Sequence, residues 1–217
     1  MARAQSAGRG RLGRTWESQA DEGLYLSLIL KPGPPMLSPV ALTMLTGLAL
    51  ASAVRQLGVH SAHLDWPNDV MVAGAKISGI LVESRGLTAD DPVYVVGVGL
   101  NVLQRQFSGE LTEERHVTSL SLEGSDADVS RASEFVLAEL ALKLESVRDF
   151  SPTLGSEYLD ETGLRGQLVN IQVGSKSLSG RLVDLNLAQG LCLENANGQR
   201  AYHALEHVRS LSAHSPS

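Results

Sequence analysis

Residues 8–14 read Gly-Arg-Gly-Arg-Leu-Gly-Arg, and this alternation joins two kinds of chemistry. Gly8, Gly10 and Gly13 free the backbone to curl, while Arg9, Arg11 and Arg14 supply forked, permanently charged donors suited to carboxylate and phosphate oxygens. A loop built this way can fold over an anionic ligand and shed water, strengthening the electrostatic contacts inside. A solvated basic tail has the same composition. The letters of Gly8–Gly13 also match the dinucleotide fingerprint G-x-G-x-x-G, which requires a strand before it, a helix after it and an acid about 20 residues on. Here seven residues precede it and a strand is expected to follow, so that reading fails on context.

A second cluster lies further along. Trp66-Pro67-Asn68-Asp69 falls where a strand is expected to end, and Lys76 begins the return strand. A hairpin would bring the Asn68 and Asp69 side chains near the Lys76 ammonium, an arrangement useful against a nucleoside triphosphate. An Asx turn beside a surface lysine is the alternative, and spacing alone does not decide. His203 and His207 are four apart but fall in strand and loop, which gives no metal motif. His60 and His63 flank a strand start and read as solvated. Cys192 has no evident thiolate-stabilising partner; it sits between Leu191 and Leu193, either in the core or facing solvent opposite them.

The elements that must position these residues follow from pattern. Residues 24–31 read as a buried strand. Ser38 before Pro39 is an N-cap with proline at the first helical position. Leu42, Leu45, Leu48 or Ala49, and Ala53 then keep helical spacing to a stop at Gly58. Strands are expected at 62–66, 70–72, 76–83 and 93–102. A loop is expected at 32–35, and the acids within 110–128 read as a solvated loop. A helix follows Ser130, with Phe135, Val136, Leu140, Leu144 and Val147 on one face, and a shorter one covers 153–162. After Gly163 short alternating runs separated by Gly174, Gly190 and Gly198 predict a small antiparallel β module.

The 217 residues, 43% hydrophobic and 19% charged, suffice for a sizeable core plus a small appendage. A net charge of −6 argues against a general nucleic-acid binder. The four arginines within residues 1–14 carry +4 with no acid, so the remainder carries −10. A single cysteine rules out an intrachain disulfide and a cysteine-based zinc site. With no long apolar run, the expectation is a soluble, cytoplasmic protein.

Taken together, the motifs resemble a known family. The stretch from Gln5 to Trp16 resembles the biotin-binding loop of biotin protein ligases. Leu64–Val70 followed by Lys76–Glu83 is similar to the family's second signature, and Val98-Gly99-Leu100-Asn101-Val102 to its third. The order and distances agree, and the likeness covers nearly the whole chain.

The resemblance implies an α+β fold: a class II synthetase-like mixed sheet with helices over residues 1–163, then a small SH3-like β-barrel over 164–217. It implies an ATP-dependent ligase that makes biotinyl-5'-AMP and transfers biotin to a lysine of a biotin carboxyl carrier protein. Gln5, Gly8, Arg9, Gly10, Arg11, Lys76 and Gly79 would hold biotin, with Arg11, Lys76 and Asp69 as the catalytic set. Arg14, Trp16, Asn68, Asp69 and Asn101 would line the ATP side, with Mg²⁺ as counter-ion and no protein-held metal. No DNA or membrane partner is expected, and the protein would be a monomer or homodimer. A lipoate-ligase-like adenylating enzyme and a non-catalytic biotin or biotinyl-AMP binding module are the rival readings.

Two departures stand out. The family's upstream strand and helix, with a Ser-Thr-Asn stretch, precede the point where this chain begins, so an N-terminally incomplete catalytic domain is expected. The family's usual lysine before Trp66 is Asp65 here.

Overall fold

The computed structural model describes residues 1–31, 38–85, 93–108, 116–146 and 153–214. The expected loop at 32–35, Val147, and most of the acidic stretch before 116 lie outside the described residues.

Strand β1 (Gly23–Leu30) opens the first sheet and is followed by helix α1 (Pro39–Gln56). Ser38 caps that helix as its spacing predicts, its hydroxyl accepting from the Ala41 N–H at 3.2 Å. Strands β2 (His63–Asp65), β3 (Asp69–Val72), β4 (Ala75–Arg85) and β5 (Val93–Asn101) complete the sheet in the order β1-β5-β4-β3-β2. Its strand pairings are all antiparallel, and the parallel component is an isolated bridge between Lys76 and Val117.

Helix α1 is apolar nearly all round, with Leu42, Leu45, Leu48, Ala49, Leu50 and Ala53 all buried. The expected single stripe is therefore widened. A helix of this composition needs apolar cover on several sides, and α1 has it from the sheet, from α2 (Val129–Ser146) and from α3 (Leu154–Glu161). Arg55 near the end of α1 grips Glu161 of α3 through two hydrogen bonds, at 2.7 and 3.1 Å.

Gly163 ends α3 with a positive φ of 68°. The second sheet then forms from β6 (Leu168–Val173), β7 (Lys176–Asn186), β8 (Gly190–Glu194), β9 (Arg200–His203) and β10 (Val208–Ala213), in the order β10-β6-β7-β8-β9. This is the anticipated antiparallel module, and the fold is α+β. One apolar core runs through both sheets, from Leu24, Leu45 and Val70 to Val169, Leu182 and Leu191. Cys192 is fully buried in it, which settles its two sequence alternatives. Among the described residues no helix is long and apolar enough to cross a membrane.

Candidate active site

Strand β5 alternates. Val96, Val98 and Leu100 point into the core, and Val95, Gly97 and Gly99 face the other way. That outer face is the floor of a cleft of about 960 Å³, within the range of small-molecule sites. Gly99 pairs with Gly79 across β4–β5, so two adjacent strands lack side chains at the same place. Trp16 lies on that bare patch. A Cβ at Gly99 would sit 2.3 Å from its Cε2, and one at Gly79 2.9 Å from its Cζ3.

The glycine–arginine segment forms a small closed loop above this floor. Gly10 N–H donates to Arg14 O at 2.7 Å and Trp16 N–H to Gly8 O at 3.0 Å. A tight turn at Arg11–Gly13 puts Leu12 at φ 56°, and the Leu12 side chain stands almost wholly in solvent. Gly8 is needed for closure, since a Cβ there would meet Trp16 O at 2.3 Å. It lies buried beneath the loop and outside the cleft lining.

Two arginines of the loop reach the sheet. Arg11 Nη1 donates to Asn68 Oδ1 at 3.0 Å, and Asn68 Nδ2 donates to Ile80 O at 2.9 Å. Arg9 makes a longer pairing with Glu83 at 3.5 Å. Lys76 and Asp69 form a close ion pair in the cleft, Nζ to Oδ1 at 2.6 Å, with side chains only 13% and 11% exposed. The ammonium also stands 5.4 Å from the centroid of the Trp16 ring, a cation–π distance.

The Trp16 indole N–H is buried with no acceptor among the described residues. Gln5 Oε1 accepts from Ser18 Oγ at 2.7 Å. At the far end Asn101 is buried and donates from Nδ2 to Thr118 O at 2.9 Å.

Gln5, Arg9, Gly10, Arg11, Arg14, Trp16, Asn68, Asp69, Lys76, Gly79 and Asn101 thus all line one cleft. Sequence reasoning missed part of its wall. Arg209 and Ser210 of β10 reach it from the second sheet, and Glu17, Gln19 and Gln104 line it near the first. Nothing in the local run His207–Leu211 distinguishes Arg209 from a surface strand residue. Asp65 lines the cleft opposite Asp69 in the β2–β3 pair. Beneath these acids the Tyr158 phenol is fully buried, and its pKa is pushed well above the ordinary value by burial and then by Asp65 and Asp69.

Cations on a glycine-cleared floor, under an arginine loop, can hold a carboxylate and a polyphosphate side by side while excluding water.

Comparison with known proteins gives the same direction. The model of the biotin/lipoate A/B protein ligase family matches residues 1–101. The bifunctional ligase/repressor BirA of Escherichia coli is 32% identical over 199 residues, spanning 89% of this chain and 60% of that protein. The biotin–[acetyl-CoA-carboxylase] ligase of Mycobacterium tuberculosis is 32% identical over 199 residues, covering 89% of this chain and 72% of that one. The structure of the Aquifex aeolicus biotin protein ligase in complex with biotin and ATP superposes with a TM-score of 0.78 at 29% identity, covering 98% of this chain and 87% of that one. The chain spans about 60% of the length of the Escherichia coli relative. With this identity and coverage, the chain belongs to the biotin/lipoate A/B protein ligase family.

Proposed function

We propose that this protein activates biotin with ATP to biotinyl-5'-AMP and transfers the acyl group to a lysine of a biotin carboxyl carrier protein. The observation that carries this reading is that Lys76 stands over the side-chain-free Gly79 position while Arg11 lines the same cleft. The Aquifex aeolicus relative, described with biotin and ATP bound, supports both substrates.

In the first step a carboxylate oxygen of biotin attacks the α-phosphorus of ATP, and the P–O bond to pyrophosphate breaks as the leaving group takes the electron pair. No enzyme nucleophile is needed. The protein's task is alignment and charge stabilisation. Lys76 and Arg11 would neutralise the carboxylate and the phosphate it joins, and Gln5, Arg9 and Gly10 would complete the acid side. Arg14, Trp16, Asn68, Asp69 and Asn101 serve the nucleotide. In the second step the neutral amine of the acceptor lysine attacks the anhydride carbonyl, AMP leaves, and the amine loses a proton. Asp69 would orient that amine.

Asp65 and Asp69, both lining the cleft, would face a Mg²⁺ carried on the triphosphate. Such an ion would be held mainly by phosphates and water. When bound, it would supply positive charge against the phosphates.

The test is exchange of labelled pyrophosphate into ATP. Exchange that depends on biotin is expected. Biotin binding without exchange would leave only a binding module, and exchange driven by lipoate instead would assign the lipoate branch of the family.

A further inference from the structure

Lys76 occupies an awkward point in the sheet. The pairing of β3 with β4 slips between Val70 and Met71, so Ile77 is an extra residue between the Val70–Ser78 and Met71–Lys76 pairs. On the other side β5 pairs with β4 only from Leu100 opposite Ser78 onward, and the chain leaves the strand after Asn101. The vacated edge beside Lys76 is filled by residues 116–118. Lys76 N–H donates to His116 O at 2.9 Å, and Thr118 N–H donates to Lys76 O at 2.9 Å. This is the isolated parallel bridge of the first sheet.

Thr118 does more than close that bridge. Its carbonyl accepts from Asn101 Nδ2 at 2.9 Å, and its hydroxyl donates to Glu123 Oε1 at 2.6 Å. Leu120 N–H donates to Asn101 O at 3.1 Å, which pins the same strap to the end of β5. Thr118 is itself buried, and its bond with Asn101 is shielded from competing water, while Glu123 reaches its hydroxyl from an exposed position. One peptide unit on each side of Thr118 therefore holds one of two cleft residues, Lys76 on one side and Asn101 on the other.

We propose that Thr118 is a positioning residue for adenylation, fixing the spacing between Lys76 and Asn101, with Glu123 locking its side chain. The inference rests on the adenylation reading given above and deepens it. Thr118 touches no reacting atom.

The test is Thr118→Val, which keeps the shape and removes the hydroxyl. Biotin-dependent pyrophosphate exchange should fall about tenfold in kcat, because small misplacements of reacting groups are costly. Thr118→Ser, which keeps the hydroxyl, should restore most of the loss. Glu123→Ala, at an exposed position, should move kcat the same way without touching the core. In a Lys76→Ala background Thr118→Val should have a smaller further effect, since part of its role runs through Lys76. An equal additional loss in that background, or no loss in the single variant, overturns the proposal. If the wild-type protein shows no exchange with any acid, the adenylation reading falls and this proposal with it. Amide hydrogen exchange at Lys76 and Thr118 reports the strap separately: protection should drop in Thr118→Val, and unchanged protection removes the positioning role.

Discussion

The indole N–H of Trp66 donates to the backbone carbonyl of Val208 at 3.0 Å, deep in the interior. Trp66 begins the loop between β2 and β3, and Val208 begins β10 of the second sheet. The same indole meets Tyr158 of α3 edge-on, with ring centroids 6.0 Å apart. The residues next along β10 are Arg209 and Ser210, which form the wall of the cleft. A single buried contact thus joins the signature segment to the strand that completes the site.

Trp66→Phe keeps most of the ring and removes the donor, leaving the Val208 carbonyl without this partner. It should cost about 1–3 kcal/mol of stability, read as a shift in the urea midpoint at unchanged slope. ATP affinity should weaken as the wall bearing Arg209 loosens. A variant as stable as wild type would show that the hydrogen bond contributes nothing.

Lys76→Met removes one partner of a largely shielded ion pair with Asp69. Stability should fall by about 3 kcal/mol, and adding Asp69→Asn should recover part of it. If Lys76 acts as proposed, loss of its charge should reduce biotin-dependent exchange by at least about 100-fold. Exchange at the wild-type rate in a folded Lys76→Met protein would remove Lys76 from the chemistry.

Gly99→Ala places a methyl group where the Trp16 ring lies. The ring must move, so the near-ultraviolet circular dichroism should change and biotin binding, followed by calorimetry, should weaken by tenfold or more. Gly97→Ala is the control. Its Cβ would approach Leu81 O at 3.4 Å and no part of Trp16, so its effect on the tryptophan spectrum should be small.

Glu157, in the first turn of α3, has its pKa held below the ordinary value by the Lys143 ammonium at 2.9 Å and the Thr153 hydroxyl at 2.7 Å, against a smaller opposing effect of burial. A carboxyl depressed in the folded state adds stability above its unfolded pKa and loses it as pH falls through the folded one. The side chain is 45% exposed, so the gain is screened and small. Wild type should therefore exceed Glu157→Gln in Tm at neutral pH, and the difference should shrink as pH drops below the ordinary carboxylate range of about 4. A gap that persists in strong acid would trace to packing rather than charge.

Much of the local structure was legible before any fold. The Ser38 cap, the Gly58 stop, the β5 strand and the five short strands after Gly163 follow from turn chemistry and periodicity, which act over a few residues. The glycines of the arginine loop announced a curled backbone, and Gly8 shows why, with the Trp16 carbonyl where a Cβ would be.

The partners across the fold were not legible. Arg11 meets Asn68 across 57 positions and Trp66 meets Val208 across 142, and no local pattern encodes a pairing at such distance. Arg209 enters the cleft because β10 is anchored by Trp66, a matter of how two sheets pack. Thr118 sits between Lys76 and Asn101 because β5 ends one residue short of Lys76 and another segment must satisfy the exposed backbone. The sequence by itself determined which chemical groups the protein owns and which short elements carry them. Register, strand ends and sheet packing, settled only by burying one continuous core, decided which of those groups share the cleft.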